Sequence, residues 1–311
     1  PRLFLHKSEK FILIHSESTI SSEMRFLDAA APTGEFTLLQ ARIPHLEYAA
    51  DHYQDHFWIR TNHKAQNFKL VKAPIAAPQM ENWEDVIPHR ETVLLEDFDI
   101  FSDFLVVQER SNGLCKINIK PWDGTAGHSL EFDDETYTAW ISTNPEYDTP
   151  ILRFGYNSLV TPASTFDYHM VTKEKTLLKQ QEIVGGYDAS DYTSARIWAK
   201  ASDGVMVPIS LVYKIDKFSP DGSNPLLLYS YGSYGYSMDA YFSSSRLSLL
   251  DRGFVFAIAH IRGGEDLGRG WYEDGKMLKK RNTFTDYISC AEHLISEKYT
   301  SPEHLYAMGG S

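Results

Sequence analysis

The sequence predicts a partial β-propeller of about four blades, followed by the first half of an α/β domain. Two observations lead to this prediction. β-rich runs recur at a nearly constant interval over residues 1–185, and the hydrophobic pattern changes to strand–helix–strand over residues 186–311. With 311 residues the chain exceeds one comfortable hydrophobic core, so two domains are the expected arrangement.

The repeat is marked by four apolar runs whose starts lie 46, 47 and 47 residues apart, at Phe11, Phe57, Phe104 and Ile151. A second run with alternating apolar and polar residues follows each, as in half-buried strands, and a third short run closes the unit. Several strands per period of this length are typical of propeller blades. Helical solenoids have similar periods, but these runs are too short and too rich in β-branched and aromatic residues. A β-sandwich would not explain the constant period. Since propellers have about four to eight blades, these units are expected to be part of a larger ring.

The domain boundary is predicted at residues 185–186, a Gly-Gly pair where the repeat ends. A hairpin is predicted next, over 192–200 and 205–215, and the Asp203-Gly204 pair suits its tight turn. Beyond residue 225, strands alternate with helices. The runs 226–229 and 254–259 are continuously apolar, as parallel strands buried on both faces are.

Two helices are predicted in this half. Residues 242–252 suit a helix that Gly253 ends. In the second, Thr283 and Asp286 resemble a capping box, and the apolar residues after Thr283 fall on one helical face. These residues are Phe284, Tyr287, Ile288, Ala291, Leu294 and Ile295. A last predicted strand, 305–308, leads directly into the sequence Gly-Gly-Ser.

Ser311 is the candidate nucleophile. A strand that runs into Gly-Gly-Ser matches the first half of a nucleophile elbow, the Gly-x-Ser-x-Gly turn that lifts a serine hydroxyl above the sheet of an α/β-hydrolase. Glycines are needed because the serine backbone is strained and neighbouring side chains would collide with the next helix. Gly-Gly-Ser by itself also suits a plain loop, but the strand before it favours the elbow. We therefore expect the N-terminal half of an α/β-hydrolase domain at 186–311.

A nucleophilic serine needs a base and an acid that orients the base. In α/β-hydrolases both follow the serine along the chain, so we expect them beyond Ser311 and expect the chain to be an inactive fragment on its own. None of the 12 histidines is then the base. His260, at the end of a predicted strand, is expected to be a hydrogen-bonded structural residue.

The oxyanion hole needs donors aimed at the attacked carbonyl oxygen. One is expected in the loop after the 226–229 strand, where Tyr229, Tyr231 and Tyr234 offer hydroxyl groups and glycines allow a sharp turn. A tyrosine-rich packing loop is the alternative interpretation.

Five segments of the second half resemble the prolyl oligopeptidase family of serine peptidases. They are 228–235 (LYSYGSYG), 252–264 (RGFVFAIAHIRGG), 271–276 (WYEDGK), 280–286 (KRNTFTD) and 299–311. The resemblance is specific over 225–311 and looser over the propeller. It implies a seven-bladed propeller that caps an α/β-hydrolase domain, with Ser311 as the nucleophile and Tyr231 as the side-chain oxyanion donor.

The run 248–280 is most similar to the branch of this family that cleaves short peptides after arginine or lysine. Short peptides with basic residues are therefore the expected substrates. No metal or organic cofactor is expected, since an activated serine needs neither. Two alternatives stay open. One is a prolyl or acylaminoacyl peptidase of the same family, and the other is a propeller binding protein with an inactive hydrolase domain.

Composition narrows the partners. A formal net charge of -12 disfavours nucleic acid and anionic membranes and mildly favours cationic ligands, although an acidic surface also serves solubility. No apolar stretch approaches about 20 residues, so no membrane-spanning helix is expected. The N-terminus lacks the layout of a signal peptide. Cys115 and Cys290 are too few and too far apart for a disulfide framework, which fits a reducing compartment and a cytoplasmic location.

Overall fold

The computed structural model describes residues 1–310. Up to residue 180 it contains four antiparallel sheets of four strands, and each strand pairs with the next one along the chain. Blade 1 is β1 (Arg2–Leu5), β2 (Phe11–Ser18), β3 (Ser21–Asp28) and β4 (Thr37–Gln40). Blade 2 is β5 (Tyr48–Tyr53), β6 (His56–Thr61), β7 (Lys69–Pro74) and β8 (Glu84–Ile87). Blade 3 is β9 (Val93–Ile100), β10 (Phe104–Ser111), β11 (Leu114–Pro121) and β12 (His128–Ser129). Blade 4 is β13 (Tyr137–Ile141), β14 (Ile151–Ser158), β15 (Ser164–His169) and β16 (Lys175–Gln180). The predicted partial propeller of about four blades is confirmed.

The first strand of each blade was not evident from the sequence. The repeat marked only the three later strands, whereas the structure adds β1, β5, β9 and β13 in front of them. In β9, for example, Glu96, Asp97 and Asp99 interrupt the apolar residues, so the strand has no continuous hydrophobic run. The strand forms nevertheless because seven of its residues pair with β10.

The propeller core lies between neighbouring blades. Three apolar clusters join blades 1 and 2, blades 2 and 3, and blades 3 and 4. Phe57, Phe101 and Phe154 are the largest side chains that are fully buried. Because a single sheet cannot bury its apolar faces alone, each blade depends on its neighbours for stability.

The second half forms a five-stranded sheet in the order β17-β18-β20-β19-β21. Its strands are β17 (Tyr192–Lys200), β18 (Met206–Lys214), β19 (Leu226–Ser230), β20 (Val255–Ala259) and β21 (Leu305–Gly309). The helices are α1 (Ser244–Leu250), α2 (Arg269–Glu273) and α3 (Arg281–Ser296). β17 and β18 form the predicted antiparallel hairpin, while β19 pairs in parallel with both β20 and β21. Within residues 1–310, no helix is both long enough and apolar enough to cross a membrane.

The predicted start of α3 is wrong. The helix begins at Arg281, and Thr283 and Asp286 are buried within it instead of capping it. The Thr283 hydroxyl donates a hydrogen bond to the carbonyl oxygen of Arg262 at 2.7 Å. The Asp286 carboxylate accepts from the backbone N–H of Arg262 at 3.0 Å and from its side chain. Both polar residues are therefore occupied by tertiary hydrogen bonds.

The predicted apolar face of α3 is also only partly buried. Leu294 is buried, but Phe284 and Ile288 are 62% and 54% exposed. Tyr287, Ala291 and Leu294 of the predicted face pack against the core of the second half. The buried residues of the helix also include Thr283, Asp286 and Cys290. The buried face is therefore partly polar, because the pairing of Asp286 with Arg262 requires the carboxylate to point inward.

Candidate active site

The carboxyl ends of two neighbouring strands form the candidate site. β19 and β21 pair in parallel from Leu226 opposite Leu305 to Ser230 opposite Gly309. Parallel strands end at the same edge of a sheet, so Tyr231 and Gly310 leave this edge side by side. Ser311, the predicted nucleophile, is the next residue and lies outside the described residues.

A cavity of about 380 Å³ opens at this edge. Tyr231, Gly309 and Gly310 line it together with Lys280 and Tyr287, which come from the start and the second turn of α3. The Tyr287 hydroxyl donates to the carbonyl oxygen of Leu228 in β19 at 2.7 Å, which fixes the helix against the strand. The described part of the chain therefore brings Tyr231 and the two glycines that precede Ser311 into a single concave site.

Of the three tyrosines predicted as oxyanion candidates, the structure brings only Tyr231 into this cavity. Tyr229 is still within β19 and packs against a buried apolar cluster. Tyr234 is 81% exposed and adopts a positive φ of 59°. Tyr231 is half-buried, and its ring makes an edge-on contact with Tyr236 at a centroid distance of 6.0 Å.

Residues of the second half of the chain hold the start of the loop that carries Tyr231. The backbone N–H of Gly235 donates to the carbonyl oxygen of Gly263 at 3.0 Å. Lys280 Nζ donates to the carbonyl oxygen of Gly232 and, at 2.8 Å, to the hydroxyl of Ser233. Burial lowers the pKa of Lys280.

Gly232 is required by space in this loop. A Cβ atom there would lie 2.8 Å from the Thr283 methyl group and 2.9 Å from the Ile261 side chain. Only glycine lets the loop pass this close to the N-terminal part of α3 and the end of β20. This close packing holds the backbone of Gly232, the residue directly after Tyr231, in position.

A second row of serine, histidine and aspartate lies away from the cavity. His260 Nε2 is 2.7 Å from Ser210 Oγ, and His260 Nδ1 is 3.0 Å from Asp266 Oδ1. Ser210 is 0% exposed in β18, and its hydroxyl also contacts Thr136 Oγ1 of the propeller at 2.5 Å. No substrate can reach a serine enclosed in this way. The prediction that His260 is a hydrogen-bonded structural residue is confirmed.

Sequence reasoning missed the buried ion pair behind the site. Arg262 Nη2 donates to Asp286 Oδ1 at 2.5 Å, and Arg262 Nη1 donates to Asp203 Oδ2 at 2.7 Å. Hydrogen bonding to Asp286 and Asp203 holds the pKa of Arg262 above its ordinary value, although burial opposes this. The only sequence signal was that Arg262 and Asp286 both fall inside segments that carry the family resemblance. The pair ties the segment after β20 to α3.

Comparison with known families matches both halves of the chain. Residues 3–181 match the family described as prolyl oligopeptidase, N-terminal β-propeller domain. Residues 240–311 match the prolyl oligopeptidase family itself. The family resemblance predicted from the sequence motifs is thereby confirmed.

Two curated relatives align with nearly the whole chain. Dipeptidyl aminopeptidase BI of Pseudoxanthomonas mexicana is 47% identical over 307 residues, which are 98% of this chain and 42% of the relative. Protease 2 of Moraxella lacunata is 39% identical over 311 residues, 99% of this chain and 44% of the relative. The chain thus spans less than half the length of these relatives.

Solved structures show the same fold. Oligopeptidase B from Leishmania major superposes with a TM-score of 0.90 at 35% identity, covering 99% of this chain and 44% of that one. Oligopeptidase B from Trypanosoma brucei, in a closed form with covalently bound antipain, gives a TM-score of 0.91 at 35% identity. Here the match covers 99% of this chain and 45% of the trypanosomal chain.

Proposed function

This chain belongs to the prolyl oligopeptidase family of serine peptidases, and we propose that the full-length protein hydrolyses short peptides after arginine or lysine. Ser311 is the proposed nucleophile, and Tyr231 is the proposed side-chain donor of the oxyanion hole. The observation that supports this proposal is the parallel pairing of β19 with β21, which places Tyr231 beside Gly309 and Gly310.

The proposed reaction proceeds through an acyl-enzyme. The Ser311 hydroxyl attacks the peptide carbonyl carbon while a base, expected beyond Ser311, accepts its proton. Negative charge develops on the carbonyl oxygen, and the Tyr231 hydroxyl donates a hydrogen bond to it. The amine leaves with the proton, and water then hydrolyses the ester. Of the groups that act in this proposed reaction, Ser311 and Tyr231 lie within the 311 residues of this chain.

The proposed preference for basic residues rests on the resemblance of the run 248–280 to the branch of the family that cleaves after arginine or lysine. Both solved structures named above are oligopeptidases B, and one holds a covalently bound antipain. A carboxylate facing an arginine forms a bidentate, charge-assisted pair, and a substrate without that charge leaves the carboxylate unpaired. Discrimination should then reach several orders of magnitude, as in other sites that leave buried polar groups unpaired.

The name of the relative with 47% identity favours a second candidate function. A dipeptidyl aminopeptidase removes two residues from a free N-terminus, whereas an oligopeptidase cuts inside a peptide. The two functions can share the same nucleophile and oxyanion donor, since they differ only in how the N-terminal part of the substrate is bound.

The test uses full-length protein and matched chromogenic peptides that end in Arg, Lys or Pro before the leaving group. Each peptide is prepared with a free and with a blocked N-terminus. We expect hydrolysis of the blocked Arg and Lys peptides, essentially none of the Pro peptides, and loss of all activity in Ser311→Ala.

Other outcomes point elsewhere. A preference for the Pro peptides would assign the protein to the prolyl branch. Cleavage that requires a free N-terminus and releases dipeptides would establish the dipeptidyl aminopeptidase. Absence of hydrolysis in every peptide would favour a binding protein with an inactive hydrolase domain.

A further inference from the structure

One buried arginine of the propeller holds the loop that follows Tyr231. Arg110 lies on β10 of blade 3, and only 6% of its side chain is exposed. Its Nη1 donates to Asp239 Oδ1 at 2.7 Å, and its Nη2 donates to Asp239 Oδ2 at 3.3 Å. Asp239 belongs to the segment 231–243, hereafter the oxyanion loop, which connects β19 to α1. The contact therefore crosses from the propeller to the hydrolase domain.

The rest of the Arg110 guanidinium is held by its own blade. Nε donates to Glu96 Oε1 of β9 at 2.5 Å. Burial opposes the charge of Arg110, but Asp239 and Glu96 raise the pKa of Arg110 well above its ordinary value. A planar guanidinium fixed on both sides by carboxylates has little freedom to rotate. Its position is therefore set by blade 3, and Asp239 must follow it.

Blade 4 adds two contacts to the same loop. The Thr138 hydroxyl donates to Asp239 Oδ2 at 3.2 Å. Further along, the backbone N–H of Phe242 donates to Asn157 Oδ1 at 2.8 Å. Hydrolase residues hold the start of the loop at Gly232, Ser233 and Gly235, while propeller residues hold its second half. The propeller thus determines where half of the oxyanion loop lies.

We infer that Arg110 is a positioning residue for the proposed peptidase reaction. By pairing with Asp239 it fixes the oxyanion loop on the propeller, and so keeps the Tyr231 hydroxyl where charge develops on the substrate. The inference rests on the proposed function. Without Arg110, the Asp239 carboxylate would keep the hydrogen bond from Thr138 but lose its charged partner. Since the Asp239 side chain is only 14% exposed, the loop would shift to hydrate the carboxylate. A displacement of about 1 Å at a catalytic group costs on the order of 10²-fold in rate.

The experiment compares Arg110→Gln with Lys69→Gln in the full-length protein. Lys69 also pairs with a carboxylate of the propeller, Asp85 at 2.7 Å, but this pair lies on the last two strands of blade 2, where the Asp85 side chain is 50% exposed although blade 2 has a neighbouring blade on each side. We expect Arg110→Gln to lower kcat by about tenfold or more with KM within about twofold, because the loop acts in the transition state. Lys69→Gln should match the parent. Asp239→Asn keeps the Arg110–Glu96 pair and should lower kcat to a similar extent. This second variant tests the same contact if Arg110→Gln fails to fold.

Two further readouts separate positioning from a general structural effect. In a Tyr231→Phe variant, adding Arg110→Gln should lower kcat little further, since the Tyr231 hydroxyl that Arg110 positions is already absent. Amide hydrogen exchange over 231–243 should become faster in Arg110→Gln and not in Lys69→Gln. A multiplicative loss in the double variant, or unchanged exchange in the loop, would overturn the inference.

Failure of the proposed function would look different. If the parent hydrolyses none of the peptides, the peptidase assignment fails, and the exchange measurement alone still decides whether Arg110 holds the loop. If the parent is active and both Arg110→Gln and Asp239→Asn retain its kcat, the positioning role is wrong and the peptidase assignment stands.

Discussion

At the scale of single residues, the position along the strand decides which tyrosine can do chemistry. Tyr229, Tyr231 and Tyr234 carry the same hydroxyl group within six residues of sequence. Tyr229 is used for packing in β19, and Tyr234 projects into solvent. Tyr231 comes directly after the last paired residue of β19, where the polypeptide leaves the sheet beside β21. Of these three tyrosines, Tyr231 alone lines the same cavity as Gly309 and Gly310.

Removing only the Tyr231 hydroxyl tests this assignment. Tyr231→Phe should lower kcat/KM of the full-length protein by about 10²-fold or more, as loss of an oxyanion donor does elsewhere. The melting temperature should stay close to that of the parent because the ring and its packing are kept. Tyr234→Phe on the same loop is the matched control and should leave kcat/KM nearly unchanged. Turnover by Tyr231→Phe within a few-fold of the parent would mean that another group fills the role.

The two cysteines are predicted to be unreactive in the folded state. Cys115 is 1% exposed and Cys290 is 0% exposed, and burial raises the pKa of Cys115 to about 12 and that of Cys290 as well. Since the thiolate is the reactive form, a thiol reagent at pH 8 should label neither residue until denaturant is added. Rapid labelling of one cysteine in the native protein would show that its surroundings are open.

At the scale of elements, α3 shows how a buried ion pair can set the orientation of a helix. Its packed face contains Thr283 and Asp286 as well as Cys290 and Leu294. The polar residues of this face contact Arg262, which follows β20, so the helix and the sheet are joined by hydrogen bonds as well as by apolar contacts. The pattern of apolar residues in the sequence does not predict a buried helix face that contains polar residues.

Asp286→Ala should be strongly destabilising. It leaves Arg262, whose side chain is 5% exposed, without its main carboxylate, and breaking a buried pair costs about 3–5 kcal/mol. Asp85→Ala removes the partner of Lys69 at an exposed position of blade 2 and should cost about 0–1 kcal/mol. Urea denaturation of both variants measures the difference. Similar losses in the two would contradict the importance of burial for the Arg262–Asp286 pair.

At the scale of the whole molecule, polar contacts hold the propeller against the hydrolase domain. Asn67 Oδ1 of blade 2 accepts from the backbone N–H of Arg269 at 2.8 Å, and Arg269 Nη2 donates to Glu47 Oε1 at 2.9 Å. Thr136 and Ser210 make a further contact between blade 4 and β18. Residues of blades 2 and 4 therefore contact the hydrolase domain directly.

Because the propeller contacts the hydrolase domain, we expect it to admit short peptides to the active site and to exclude folded proteins. The full-length protein should cleave a short peptide that contains an arginine site, and it should leave the same sequence uncut in a loop of a stable folded domain. Trypsin provides the control, because its cleavage of that loop shows that the site is accessible. Peptide fragments from each substrate can be measured by mass spectrometry. Equal cleavage of the peptide and the folded domain would contradict a barrier formed by the propeller.

The sequence by itself determined those strands and blades that can be recognised from patterns of consecutive residues. A repeat of about 47 residues identified the blades, and apolar runs located β19, β20 and β21, because strand periodicity is a property of consecutive residues. It also pointed to Tyr231 and Ser311 through motifs. Ser311 lies outside the described residues, and the roles of both residues stay predictions.

Only the tertiary structure decided which polar residues meet. Arg262 pairs with a carboxylate 24 residues away, and Arg110 pairs with one 129 residues away. The first strand of each blade likewise exists because a neighbouring strand supplies its hydrogen bonds. Each of these features depends on groups that the fold brings together from distant segments. The residues next to a charged side chain in the sequence do not reveal which distant residue it will pair with. The pairing is therefore known only from the folded structure.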